Sequence, residues 1–373
     1  TGGGVRIVLT EKARWLQSQP DIEHVIVVPS DRDTTTSLFG STLYSTTGPG
    51  VPASPGYHLL IRPGRLREII EQEQPDVIEL GSVYAAPWLL RYAASRSNAR
   101  QVGFFHMDLR GVVLRQLPNA TPGFLRGAAS AVLSAYLRAA YRRCDRVIAA
   151  SRAAQRALGE AGIVDTELVP LGVDTELFHP RCRDPHWRIE VRVEDDRPIG
   201  LYVGRLSTEK GVRFLIDALP DLHRATGLKL VLIGDGHLRP ELQGLTAKHP
   251  EMLVVKPYET DRERLARAYA SADIYFAPFP HETFGLAAVE AAASGLPVVG
   301  VNSGAIADVL EGADWGRTYA PDDVSGLVEA ARALLDEDSA WLRDAARGAA
   351  EQYSWDRTFS RMVQIYREVT GTT

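Results

Sequence analysis

The second half of this chain is constrained most by its rhythm, in which short apolar runs recur with helical segments between them. Ile199–Val203, residues 228–233, residues 252–255, Ile274–Ala277 and Val298–Val301 behave as buried parallel strands. Residues 212–219, Arg239–Lys248, Arg262–Ser271 and Leu286–Ala293 fill the gaps as helices. Strand and helix alternating through short turns predict a parallel, doubly wound α/β sheet. Ligands of such sheets bind beyond the carboxyl ends of the strands, so the loops that follow the strands are the ones to read for chemistry.

The first half repeats the pattern less cleanly. Strands are expected at residues 25–28, Val77–Leu80, 102–105 and 147–149, and helices at residues 66–73, 87–95 and 123–143. Between Pro170 and Pro198 the rhythm breaks. His179-Pro180, Asp184-Pro185 and the charged residues 190–197 read as loop and linker. A chain of 373 residues and 40.9 kDa is too long for one ordinary core. Two domains are therefore expected, residues 1–180 and 198–355, followed by a helical tail over 356–373. Phe359, Met362, Ile365 and Tyr366 recur along that tail at helical spacing. At the other end, Thr1-Gly2-Gly3-Gly4 opens onto Val5, Val8, Leu9 and Leu16, an amphipathic helical pattern with no strand before it. A glycine loop feeding a helix normally follows a strand, so the native chain is expected to begin earlier. A flexible leader is the alternative.

Composition excludes several classes. A net charge of -5 argues against a general nucleic-acid binder. Cys144 and Cys182 alone make neither a disulfide framework nor a zinc site, which suits a reducing cytoplasm. No apolar run approaches the ~18 residues that span a bilayer, and no secretory signal is visible. One stretch is locally basic. Residues 110–143 contain Arg110, Arg115, Arg126, Arg138, Arg142 and Arg143, no acid, and interleaved Leu, Val, Phe and Tyr. Such a stretch either docks peripherally on an anionic membrane surface or is an ordinary helix with a solvated arginine face.

Two loops carry the chemistry. After Ile199–Val203 comes Gly204-Arg205-Leu206-Ser207-Thr208-Glu209-Lys210-Gly211. Gly204 permits close backbone approach, Arg205 can hold phosphate oxygens through two parallel bonds, and Lys210 adds a point charge. A solvated basic loop is the plain alternative. After Ile274–Ala277 comes Pro280-His281-Glu282-Thr283-Phe284-Gly285-Leu286, with Glu290 one turn further on the same helical face. The N–H groups at the start of that helix favour an anion. A carboxylate at Glu290, inside an Ala-Ala-Val-Glu-Ala-Ala run, suits paired hydroxyls of a ribose or sugar ring, or else a structural arginine.

In combination, Gly-Arg-x5-Lys-Gly, Ile233-Gly234-Asp235-Gly236 and Glu282-x7-Glu290 resemble the C-terminal half of retaining GT-B glycosyltransferases of family 4. Gly295-Leu296-Pro297-Val298-Val299 and Tyr353-Ser354-Trp355 fit the same pattern. Looser similarity lies in Gly2–Gly4, Phe105-His106-x-Asp108, residues 145–151 and Pro170-Leu171-Gly172-Val173-Asp174. The resemblance implies two Rossmann-like domains facing a central cleft, acceptor on the N-terminal side, with a C-terminal helix crossing back to the first domain. It implies a hexose transferred with retention from a nucleotide-diphosphate sugar to a lipid-linked or glycan acceptor, with no cofactor and no metal. Arg205 and Lys210 would neutralise the donor diphosphate, with Gly204 and Gly234 beside it. Backbone N–H groups of Phe284, Gly285 and Leu286 would complete the anion site. Glu290 would bind the ribose and Glu282 the transferred sugar. His106 would face that sugar from the other domain, and Gly3 and Gly4 would touch the diphosphate or acceptor. The Glu-Thr-Phe-Gly form at Glu282 resembles that of enzymes using GDP-mannose, with UDP-sugars as the other expectation. This chain has Ser303-Gly304 where the family often has Gly-Gly.

Rival readings remain on the same residues. Asp31-Arg32-Asp33 could imitate the metal-binding Asp-x-Asp of GT-A enzymes. A sugar-nucleotide epimerase or phosphorylase shares the fold, and a non-catalytic nucleotide-sugar binding module shares the site. A dinucleotide oxidoreductase lacks support, because Gly234-Asp235-Gly236 has no third glycine.

Overall fold

A computed structural model describes residues 3–51, 58–118, 120–193 and 197–372. Thr1 and Gly2 of the glycine stretch, and residues 194–196 of the charged stretch, lie outside the described residues. The chain divides into two units, Thr1–Leu171 with Trp355–Thr373, and Gly172–Ser354.

In the first unit, β1 (Val25–Ser30), β2 (Thr34–Leu38) and β3 (Ser41–Thr47) form a sheet in the order β1-β3-β2, with β1 parallel and β2 antiparallel to β3. A second, parallel sheet runs β4 (Val77–Leu80), β5 (Arg100–Phe105), β6 (Arg146–Ala149) and β7 (Thr166–Leu168). The sequence expectation of four strands in parallel is corrected at both ends. The run at 25–28 pairs with a neighbour close in sequence, and β7 takes the fourth place. Edge strand β7 exposes Leu168 and buries no residue fully, so no apolar run marks it. Leu66, Leu80, Leu90, Phe105, Leu137 and Val147 close the core of this unit.

The tail is the helix Trp355–Thr370, which buries Phe359, Met362 and Ile365 in the first unit, at the spacing the sequence shows. Thr358 Oγ1 donates to the carbonyl of Pro170 at 2.7 Å. The helix Gly4–Leu16 lies against it, and Trp15 Nε1 donates to Asp356 at 2.9 Å. Besides Val8, Ala13 and Leu16, this first helix buries the charged Glu11 and Lys12. Lys12 Nζ lies 2.8 Å from both Glu79 Oε2 on β4 and the Tyr366 hydroxyl, which itself donates to Glu79. Ion pairing permits that burial.

The second unit has one sheet. β8 (Ile199–Val203), β9 (Lys229–Ile233), β10 (Leu253–Lys256), β11 (Ile274–Ala277), β12 (Val298–Val301) and β13 (Gly316–Tyr319) are ordered β10-β9-β8-β11-β12-β13, every pairing parallel. Strand order reverses between β8 and β11. That reversal is the topological switch point, where doubly wound sheets open a crevice for ligands. The helix after β8 runs Val212–Thr226, on through Pro220 rather than stopping at 219, because Leu219 and Leu222 are both buried.

The boundary falls at 171/172, at the start of the expected break between Pro170 and Pro198 and before the expected domain limit at 180. Residues read there as loop are anchored in the second unit: Phe178 and Trp187 are buried, and Phe178 meets the Tyr269 ring edge-on at 5.6 Å. Arg188 donates to the carbonyls of Ser271 (3.1 Å) and Arg197 (2.7 Å) and to Asp273 (3.0 Å). The short helix Pro185–Glu190 forms inside this stretch, capped by Asp184.

Candidate functional site

Both motif loops leave the sheet at the switch point, one after β8 and one after β11. The first is laced to the loop after β9 chiefly through backbone, with Thr208 Oγ1 also 3.4 Å from His237 Nε2. Gly204 N donates to Ile233 O (3.0 Å), Leu206 N to Asp235 O (2.9 Å), and Leu238 N to Leu206 O (3.1 Å). A Cβ on Gly234 would fall 1.9 Å from the carbonyl oxygen of Gly204, so only glycine lets the two loops touch. From beneath, Tyr202 donates to Arg205 O at 3.0 Å and Tyr275 to Val203 O at 3.2 Å. Burial, then the charge of Glu282, pushes the Tyr202 phenol up. The Tyr275 phenol is raised by burial, with Tyr202, Glu282 and Glu290 adding to it. Both hydroxyls therefore stay protonated donors. Arg205 is exposed above them, and Lys210 is half-buried.

The loop after β11 brings its carboxylate to this basic loop. Glu282 Oε2 lies 3.1 Å from Lys210 Nζ, which also sits 3.9 Å over the centre of the Phe279 ring. Gly285 (φ +88°) starts the helix Leu286–Ala293 in the left-handed region, and a Cβ there would meet Ile306 Cδ1 at 2.6 Å. The first N–H groups of that helix, at Leu286 and Ala287, have no intrahelical acceptor. Phe284 is buried edge-on to Tyr353 at 5.6 Å, which steadies the helix tip.

The departure at Ser303 falls where a side chain fits. Ser303 Oγ donates to Pro280 O at 3.0 Å, and Ala305 N to Glu282 O at 2.8 Å. Gly304 carries the constraint instead: its φ is +61°, and a Cβ would stand 2.7 Å from Pro280 O. This loop after β12 holds the Glu282 backbone in place.

Glu290 is buried at 4% exposure. One oxygen accepts from the Tyr269 hydroxyl at 3.2 Å, and the other lies 3.7 Å from Arg262. Burial and then Glu290 hold the Tyr269 phenol well above its ordinary value, so it remains a donor. The structure thus gives Glu290 the arginine neighbour that a structural glutamate would have, one turn below the helix tip.

In the first unit, His106 follows β5, its ring stacked on Phe104 at 4.0 Å and beside Gly81, which follows β4. Burial lowers its pKa to about 4, against the pull of Glu79, so the imidazole is neutral near pH 7. Gly4 is corrected from a loop residue to the first residue of a helix, with Gly3 (φ 137°) as its cap. Asp33, in the imitation metal motif, instead accepts from Thr47 N (2.6 Å) and Arg62 (2.5 Å). Among the described residues no group of three His, Cys, Asp or Glu could hold a metal ion.

Sequence reasoning missed Tyr202, Tyr269, Tyr275 and Arg262. The first and third sit inside apolar strand runs, where a tyrosine reads as core, and only the paired loop above reveals the use of each hydroxyl. In chemical terms the structure brings one cation, Lys210, and one carboxylate, Glu282, together beside a helix tip, with Arg205 exposed on the same basic loop and Glu290 buried against Tyr269 and Arg262.

Residues 197–337 match the family described as "Glycosyl transferases group 1", and residues 2–177 match "Glycosyltransferase Family 4". The chain is 30% identical over 348 residues to a GDP-mannose-dependent alpha-(1-6)-phosphatidylinositol dimannoside mannosyltransferase of Mycobacterium tuberculosis, covering 91% of this chain and 86% of that one. It is 28% identical to a GDP-mannose-dependent alpha-mannosyltransferase of Corynebacterium glutamicum, covering 81% and 69%. Among solved structures, the sucrose-phosphate synthase of Thermosynechococcus elongatus superposes with a TM-score of 0.79 at 21% identity, covering 99% of this chain and 94% of that one, which shows a common fold.

Proposed function

The chain belongs to the family 4 glycosyltransferases of GT-B fold, and from that premise we propose that it moves a mannose from GDP-mannose, with retention and without a metal, onto a lipid or glycan acceptor. The observation that carries this reading is the meeting of Lys210 and Glu282 at the switch point, beside the tip of Leu286–Ala293. Breaking a sugar–phosphate bond leaves negative charge on the departing diphosphate and positive charge on the sugar. Arg205, Lys210 and the helix N–H groups stabilise the first, each positioned donor contributing about 3 kcal/mol, or ~10²-fold in rate. Glu282 takes hydroxyls of the transferred sugar, and Glu290 takes the ribose, exchanging its 3.7 Å approach to Arg262 for that contact. The acceptor hydroxyl attacks on the leaving-group face, and no enzyme nucleophile is assigned. The donor choice is supported by the two GDP-mannose-dependent relatives and by Glu282-Thr283-Phe284-Gly285. The phosphatidylinositol dimannoside named for one relative supports a lipid acceptor, and with it a peripheral place at the cytoplasmic face of a membrane.

Thermal-shift screening with GDP, UDP and ADP sugars tests the donor, since a ligand at 100-fold its Kd stabilises by about 2.7 kcal/mol. GDP-mannose should give the largest shift, and NMR of the product should show the donor's anomeric configuration. Turnover abolished by EDTA, or no shift with any nucleotide sugar, would overturn the reading.

A further inference from the structure

Resting on the lipid-acceptor reading, we propose that the exposed face of the helix Gly123–Tyr141 is the surface by which the first unit lies on an anionic lipid bilayer. The helix has two opposite faces. Ser134, Leu137, Ala140 and Tyr141 are buried, whereas Phe124 is 76% exposed, Val132 68% and Leu125 47%. At 100° per residue, Phe124, Leu125, Val132 and the exposed Ala128, Ala131 and Ala135 share one arc of about 120°. Over these turns the outward face carries no charge, the reverse of an ordinary solvated helix.

Three of the six arginines that made this segment look basic are turned to other work. Arg126 donates to the carbonyls of Leu114 (3.2 Å), Leu117 (3.1 Å) and Pro118 (2.9 Å). Arg138 donates to Ala161 O at 2.7 Å, and Arg110 to Ser130 (3.0 Å) and Glu160 (2.6 Å). Arg142 and Arg143 remain exposed just past the helix end. The contact is therefore apolar insertion by Phe124, Leu125 and Val132, with Arg142 and Arg143 reaching lipid phosphates. Charge decides between a bilayer and a second copy of the chain. Arg142 and Arg143 stand exposed at the end of this face and residues 109–144 contain no acid to pair them, so a second copy of the face would bring those arginines only arginine, while anionic headgroups complement them. No described helix is long and apolar enough to cross a membrane. The same segment joins the face to His106: β5 ends at Phe105, Asp108 caps the helix Leu109–Gln116, and that helix packs on Gly123–Tyr141. A lipid headgroup at this surface is thus one short helix from His106.

Flotation on phosphatidylcholine vesicles, with and without phosphatidylglycerol, tests the proposal with the whole chain, Val132→Asp, and the pair Arg142→Gln with Arg143→Gln. The parent protein should float with anionic vesicles and keep part of that binding in high salt. Val132→Asp should lower the bound fraction about tenfold or more, and the arginine pair should weaken binding chiefly at low salt. A parent protein that stays off anionic vesicles, or Val132→Asp floating like the parent, would overturn it. So would sedimentation showing a dimer that Val132→Asp dissolves. The GDP-mannose thermal shift should be the same in parent and Val132→Asp, proving the variant folded. Loss of that shift in both would count against the donor reading alone, whatever the vesicles show.

Discussion

Lys210 Nζ and Glu282 Oε2 stand 3.1 Å apart, although 72 residues separate them in the chain, because β8 and β11 are neighbours at the switch point. Each side chain is about a quarter exposed, so the pair contributes about 0–1 kcal/mol. A diphosphate offers Lys210 charge-assisted bonds of about 1.5–3 kcal/mol each, enough to displace the carboxylate toward sugar hydroxyls. Glu282→Gln should therefore lower kcat by about 10²-fold while leaving GDP affinity within a few-fold of the parent. Lys210→Ala should weaken both. Steady-state kinetics with calorimetric titration of GDP separates the two, and equal loss of transfer and affinity in Glu282→Gln would contradict the roles assigned.

Glu290 depends on Tyr269 in the interior. Removing that hydroxyl strips a buried carboxylate of a donor, so Tyr269→Phe should lose about 1.5–3 kcal/mol of unfolding free energy. Combined with Glu290→Gln the losses should fail to add by more than about 0.5 kcal/mol, measured by urea denaturation in a double-mutant cycle.

The loop after β12 separates two neighbouring substitutions. Ser303→Gly removes one hydrogen bond and should cost about 1 kcal/mol. Gly304→Ala forces a side chain into the left-handed region and against Pro280 O, which should cost about 2–3 kcal/mol and reduce transfer by shifting Glu282. Thermal melts and activity assays of the two variants should rank them in that order.

Acid should unfold the first unit early. Burial holds the half-buried His24 and His106 down at about 4, whereas in the unfolded chain each titrates near 6.5. Their neutral burial thus contributes fully above 6.5, and that stability is lost as pH falls from 6.5 to 4. The slope approaches about 1.4 kcal/mol per pH unit for each group. Burial raises the pKa of Glu79, but Lys12 overrides it and holds the carboxyl at about 2, so a further loss begins below about 4.5. Urea midpoints at pH 7, 5.5 and 4.5 should fall in order, less steeply in His106→Gln. A flat profile would contradict the burial of both histidines.

The two candidate loops were legible as loops because they follow strands whose apolar runs are buried on both faces, leaving little ambiguity in the second half. Arg205, Lys210, Glu282 and Glu290 could be placed after those strands for that reason, while the roles expected of them came from the family resemblance. The first half was less legible. β2, with Thr34, Thr35 and Thr36, and edge strand β7 are polar and half-wet, so local pattern could not place them. Partners were hidden for a different reason. Which arginine holds a carbonyl, as Arg126 and Arg138 do, and which tyrosine supports a loop, as Tyr202 does, depends on segments far apart in sequence. Periodicity reports how a side chain faces its own helix or strand; it carries nothing about what arrives from elsewhere. The basic stretch at 110–143 therefore became an apolar surface only once folding had drawn three of its arginines to other partners.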